Sequence, residues 1–349
     1  DIVDIQVLKD ATSTAIYGVN GSAGVVLITT KKGKTNKNTF TFSSYFGTSK
    51  IVKNIDILNP TQYKTLMGEI SSGYLGYINQ PKYAGINTDW SDLIFRNGED
   101  QNYDFSYSGG SEKIKAFASL GYQQTKGIVE PAKFSRLSGR INLDVDATSW
   151  LKAHANLNLI HTKLNNTSDN NSANQGGVIL STLTTPSFLP VYADELVGGA
   201  VANGQLPGQF AANPVASLEN PVSFQSRQED TDTYRYMGNL SLDITLAKNL
   251  IWKPSSSVDL SRSVYDYFVD SFRSNYGRGE PGSLPETRGI GRQHTAVHYN
   301  WNLENTLNYN IKSENHDINL LVGASIQKQR YDQLKIEGTG FAPDIRTLD

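Results

Sequence analysis

The sequence predicts an all-β protein: an antiparallel transmembrane β-barrel, partial at about nine strands, preceded by a short separate β unit. Three observations predict it. Long stretches alternate between greasy and polar residues with a period of two, which a helix of period 3.6 cannot do. The alternating stretches run to about 13–15 residues, against about 5–6 in an ordinary globular sheet and about 9–11 for a bilayer-spanning strand. Their connections are unequal, tight at one end and long at the other, as in outer-membrane barrels.

Composition sets the outer limits. The chain has 349 residues, with Lys+Arg 32 against Asp+Glu 34 and a net charge of −2. Nothing in that balance supplies the cationic excess a nucleic-acid binder needs. Zero Cys excludes zinc ribbons, disulfide scaffolds and cysteine nucleophiles. Tyr 18, Phe 13 and Trp 4 accompany a hydrophobic share of only 38%, a profile that does not fill one ordinary core. No stretch approaches the ~18 apolar residues of a membrane-spanning helix, which leaves a barrel open, because alternating strands average to mild polarity. The chain opens at Asp1 without Met and ends on Thr347-Leu348-Asp349, and reads as an internal fragment.

Residues 1–34 read as two strands around a compact turn. Ile2, Val3, Ile5, Val7 and Leu8 favour β structure. Asp10 can cap a short helical turn from Ala11 to Tyr17. Gly18, Gly21 and Gly24 supply positions tolerant of positive φ. Val25 to Thr30 is apolar on both faces and is expected to be buried on both. Lys31-Lys32-Gly33-Lys34 ends it as a solvated strand end. A phosphate loop is not supported, since no Gly-Lys-Ser/Thr follows and no helix succeeds the glycines.

These residues carry a resemblance. Asp4-Ile5-Gln6-Val7-Leu8-Lys9-Asp10, Ala15-Ile16-Tyr17-Gly18 and Gly24-Val25-Val26-Leu27-Ile28-Thr29-Thr30-Lys31-Lys32-Gly33 resemble the end of the plug domain of TonB-dependent outer-membrane transporters, in its SusC/RagA variant. Gly18 stands at that family's tight turn and Gly24 at the glycine opening the last plug strand. Val19-Asn20 replace the Ser-Arg frequent in relatives. The resemblance implies a plug piece over 1–34 and barrel over 35–349.

From residue 39 the alternation recurs. Leu151, Ala153, Ala155, Leu157 and Leu159 face one way, with Ile160 breaking the polar set. Tyr234, Tyr236, Gly238, Leu240, Leu242, Ile244 and Leu246 form the clearest column. Val297, Tyr299, Trp301, Leu303, Leu307, Tyr309 and Ile311 form another, with Asn305 as exception. Ile318, Leu320, Val322, Ala324 and Ile326 form a fourth. Opposite them lie Asn, Ser, Thr and charge, which suit a wet lumen. The tight connections are 109–112, 146–149, 246–249 and 312–315. The long ones are 49–99, 165–232, 271–291 and 336 onward, with 127–134 the one short exception. Trp150, Trp252 and Tyr309 fall near the tight-turn end, as an interfacial girdle requires. Plugged outer-membrane transporters have about 22 strands, so about nine is less than half a barrel.

Within the long connections, Asn59 to Ile70 reads as a capped helix with Pro60 at its first position. It is similar to SusC-type barrels at the corresponding place, as are Thr88-Asp89-Trp90 and Ser108-Gly109-Gly110. Residues 165–176 read as a polar loop tip, and 186–221, rich in Pro, as irregular. Tyr74, Tyr77, Tyr83, Phe188, Tyr192 and Phe210 are candidates to stack on sugar rings or grip peptides, against the alternative of loop packing.

Other chemistry is weak. His294 and His298 share a strand face but lack the further ligands a metal needs. His154 and His161 have opposite parity. Asp243 and Asp259 offer a carboxylate pair without a defined spacing, and no Ser stands in a nucleophile elbow. No cofactor is expected. The resemblance implies energy-dependent import of a bulky nutrient, an oligosaccharide or peptide, across the outer membrane. It also implies a SusD-like lipoprotein lid, TonB acting through a segment upstream of residue 1, and surrounding outer-membrane lipid. Two alternatives remain open: a soluble or secreted β-rich carbohydrate-binding or hydrolytic domain, and a barrel used for adhesion or signalling.

Overall fold

A computed structural model describes residues 2–10, 21–35, 37–53, 55–70, 72–167, 177–203, 205, 207–213, 219–269, 289–313 and 316–341. The expected turn at Ala11 to Tyr17, Gly18, the tip at 168–176 and most of the 271–291 connection lie outside them.

Two sheets form. β1 (Ile2–Leu8) and β2 (Val25–Thr30) pair antiparallel as an isolated ribbon. The second sheet has nine strands, each bonded to its sequence neighbour in an open meander. They are β3 (Thr39–Ser49), β4 (Gly98–Gly110), β5 (Ile114–Lys126), β6 (Lys133–Asp146) and β7 (Leu151–Asn165). Then come β8 (Gln228–Ala247), β9 (Leu250–Val269), β10 (Ile290–Lys312) and β11 (Asp317–Thr339). β8 to β11 run to 20–23 residues, longer than the alternation indicates, because its greasy part ends before the strand does. Among the described residues, no helix is long and apolar enough to cross a membrane.

Register aligns the columns. Ile141, Leu157, Gly238 and Val258 stand directly opposite one another from β6 to β9, with Trp301 next on β10. The alternate row is Asn142, Asn156, Asn239, Ser257, Asn302 and Gln327. The ribbon lies on this amide-rich side: a groove between them is lined by Ile28, Thr29 and Thr30 and by Asn142, Asn156, Asn239 and Ser257. One face of the sheet is therefore a polar lumenal wall holding the ribbon, and the other is an apolar exterior.

The exterior marks its own limits. From Tyr234 to Leu246 the greasy column on β8 extends roughly 30 Å in height, taking 3.4 Å per residue and a barrel tilt near 40°, which matches the hydrocarbon thickness. Above it the face turns charged. The His161 ring stacks on Tyr234 with centroids 4.2 Å apart, and its Nε2 lies 2.8 Å from Asp232. On β4 and β5, Tyr103 opposes Tyr122 one step below Gln101 and Gln124, then Glu99 bonds Lys126 at 2.7 Å. On β11, Ile326 is followed outward by Lys328, Arg330 and Asp332. At the opposite limit, Trp252 donates its indole N–H to Asn305 at 3.3 Å. Asn305, the one polar interruption of its column, is thus the partner an interfacial Trp requires.

The ribbon corrects one expectation. Val26, Leu27 and Ile28 are 60%, 40% and 53% exposed. Runs apolar on both faces are buried only when layers cover both, and among the described residues no layer covers both faces of the two-stranded ribbon. Its turn is as expected at Gly24, which has φ +96° and would place a Cβ 3.1 Å from the Leu8 carbonyl oxygen. Gly24 N–H donates to the Gly21 carbonyl at 3.0 Å, and Gly21 itself is buried.

Candidate functional site

The polar wall is a set of paired charges separated by amides. Arg235 grips Asp259 through both Nε and Nη2, at 2.9 and 2.6 Å. Asp144 meets His154 Nδ1 at 2.5 Å, whose Nε2 reaches toward Asp243 at 3.8 Å, and Asp243 pairs with Lys253 at 3.2 Å. Asp243 and Asp259 do not converge. Asp259 stands opposite Met237, six residues along β8 from Asp243 and so roughly 20 Å away, beyond the separation that glycoside hydrolysis uses. His294 and His298 each meet a tyrosine instead of a metal set: Tyr265 at 5.4 Å and Tyr331 at 4.9 Å between ring centroids. No cluster of three or more metal-ligating groups occurs among the described residues.

The ribbon leaves the lumen along this wall. Asn142, only 5% exposed, donates to the Lys31 carbonyl at 2.7 Å. Ser108 donates to the Lys32 carbonyl at 3.3 Å, and Lys32 Nζ lies 3.5 Å from Asp144. The run expected to be a solvated strand end is docked here, although the Lys32 side chain itself stays 61% exposed. Composition hides this, because the partners lie 76–112 residues away.

Above the wall, the long connections 50–97 and 166–227 build a cap with its own core. Asn59 and Gln62 form reciprocal bonds at 2.9 and 3.0 Å that start α1 (Pro60–Ile70), as the cap and Pro60 imply. α2 (Ser72–Ile78) folds back on it. Asp89 caps α3 (Trp90–Ile94). The second connection supplies α4 (Val178–Thr184), α5 (Gly199–Ala202) and short 3-10 helices at Ala193–Glu195 and Pro221–Ser226. The two connections lock together through Trp90 Nε1 to the Pro186 carbonyl at 3.1 Å and Thr88 Oγ1 to the Leu189 carbonyl at 2.6 Å. Arg227 closes the cap on Glu219 and lies over the Phe224 ring at 4.4 Å.

The aromatic candidates divide accordingly. Tyr83, Phe188 and Phe210 are buried, at 7%, 1% and 2%. Phe188 takes Tyr63 and Tyr83 edge-on at 5.6 and 5.1 Å, and burial pushes the Tyr83 hydroxyl pKa up. Tyr83 and Phe188 pack in the cap core, which gives connections this long an apolar interior. Tyr192 is half-buried and stacks on Phe210 at 5.3 Å. Tyr74 and Tyr77 fall in α2, with side chains outside the described residues.

No family model matches the chain. It is 27% identical over 335 residues to TonB-dependent receptor P3 of Formosa agariphila, covering 94% of this chain and 31% of that protein. It is 31% identical over 257 residues to TonB-dependent receptor SusC of Bacteroides thetaiotaomicron, covering 70% of this chain and 24% of that protein. The chain thus spans a quarter to a third of the length of these relatives. Among solved structures it superposes on the RagAB peptide transporter with TM-score 0.72 at 24% identity, over 99% of this chain and 40% of that one. The RagAB peptide importer in its open-open state gives 0.73 at 24% identity, over 100% and 41%. These superpositions establish a shared fold.

Proposed function

Because the chain belongs to the SusC/RagA type of TonB-dependent receptors, we propose that it forms part of an energy-driven importer of a bulky nutrient in the bacterial outer membrane. In this reading residues 1–34 are the last piece of the plug and residues 35–349 the first strands of the barrel. TonB pulls on the plug, a SusD-like surface lipoprotein closes over the cap, and the cargo is an oligosaccharide or a peptide. The peptide class is supported by the name of one similar structure, a peptide importer.

The observation that carries the reading is the ribbon seated on the polar face of a sheet whose other face is greasy over a bilayer's thickness. In hydrocarbon every backbone N–H and C=O must be paired, so such strands persist only in a closed cylinder. A cylinder wide enough for bulky cargo leaks unless it is stoppered. The chain contributes no catalysis in this reading: Asp144, Asp243 and Asp259, the acids at the centre of the wall, are each held in an ion pair.

The test is uptake in cells by the full-length receptor, with a mixed oligosaccharide and peptide digest as the sole carbon source. Uptake is expected to vanish on adding a protonophore, on removing TonB and on deleting residues 1–34. Energy-independent uptake, or uptake unchanged by the deletion, contradicts import through a stoppered barrel.

A further inference from the structure

Resting on the importer reading, we infer that Thr30 to Gly33 is a fixed hinge: it stays fastened to the barrel wall while the β1–β2 ribbon moves. The fastening and the ribbon differ in kind. At the hinge, the Asn142 amide nitrogen reaches both the Lys31 carbonyl at 2.7 Å and Thr30 Oγ1 at 3.4 Å, in a position almost closed to water. Ser108 holds the next carbonyl. Gly33 is pressed onto β5 so closely that a Cβ would fall 2.3 Å from the Ala116 nitrogen. Asp144, which receives Lys32, is itself oriented by His154 at 2.5 Å. The Lys32–Asp144 pair alone is too exposed to hold a moving domain. The buried amide bonds and the glycine fit supply what it lacks.

Among the described residues, β1 and Val25–Thr29 make no hydrogen bond or ion pair to the wall and are bonded within the ribbon. A groove separates Ile28 and Thr29 from the wall. Asn156 and Asn158, which line its far side, make no side-chain hydrogen bond among the described residues. Lateral freedom beside a fastened exit is the geometry of a hinge: tension on the ribbon converges on four residues and passes into β6.

Two measurements on the full-length receptor test this. The first is amide hydrogen exchange of the folded, membrane-inserted protein. Asn142→Ala is expected to speed exchange over residues 30–34 by about tenfold, as local opening becomes easier, with β6 unchanged. Gly33→Ala, which strikes the other side of the segment, is expected to do the same. Unchanged exchange in the variant that folds overturns the hinge. The second pairs Thr30→Cys with Asn142→Cys. Once oxidised, this protein is expected to take up the mixed digest as fast as when reduced, because the locked contact is one that never opens. Uptake lost on oxidation and regained with dithiothreitol overturns the hinge and leaves the importer reading intact. Failure of the importer reading looks different, because the unsubstituted receptor then shows no energy-dependent uptake.

Discussion

At the scale of single residues, parity decides function. Leu242 and Ser241 are neighbours in sequence but occupy opposite faces of β8, opposite Ala153 and His154 respectively. Leu242→Arg places a charge in hydrocarbon and is expected to weaken insertion by roughly 2–4 kcal/mol near the midplane. Ser241→Arg faces the wet lumen and is expected to be far milder. Folding titrations into lipid vesicles measure both, and equal losses would mean the faces are reversed. Gly24→Ala is expected to cost about 1–3 kcal/mol at a positive φ, read as faster local exchange over the ribbon turn, and an unaffected turn contradicts the strain. Gly24 was legible because it closes a glycine-rich turn that leads into a β-branched run. The aromatic candidates were not legible as core residues. A ring in a long connection looks the same in sequence whether it faces a ligand or, like Phe188, two other rings in an apolar core.

At the scale of elements, strands were read well and connections only at their edges. Period-2 columns locate β7, β8, β10 and β11, because one side must suit lipid and the other water. Their ends escape the pattern where strands rise above the membrane and both faces become polar, as beyond Tyr234. The α1 cap was legible because Asn59, Pro60 and Gln62 act within one turn. Asn59→Ala is expected to cost about 1 kcal/mol, seen as earlier proteolysis within 59–70 while the barrel stays resistant. The cap core was not legible, since Trp90 meets the Pro186 carbonyl across 96 residues and no periodicity announces such a contact. Trp90 is fully buried, so Trp90→Ala is expected to cost the cap about 3–5 kcal/mol. Proteolysis of both connections should follow together, and cleavage of one alone would show that they are not a single unit.

At the scale of the whole molecule, three layers of chemistry succeed one another: apolar exterior, polar wall, and a ribbon tied to that wall at its exit. The nine strands stay in sequence order with tight turns at one end, so the polarity of the barrel follows from its connections alone. The docking of the ribbon does not follow from sequence, because Lys31 to Gly33 carries no pattern distinguishing a tethered exit from a solvated one. The most direct test of the exterior–lumen division is a nitroxide scan of β8 from residue 234 to 246 in the full-length receptor, reconstituted in lipid. Collision with oxygen, which concentrates in hydrocarbon, should peak at even positions. Collision with a water-soluble nickel chelate should peak at odd ones, with a period of two throughout. A scan with no alternation, or one in which the even-numbered residues from 236 to 246 collide with nickel, would contradict a greasy exterior and a wet interior.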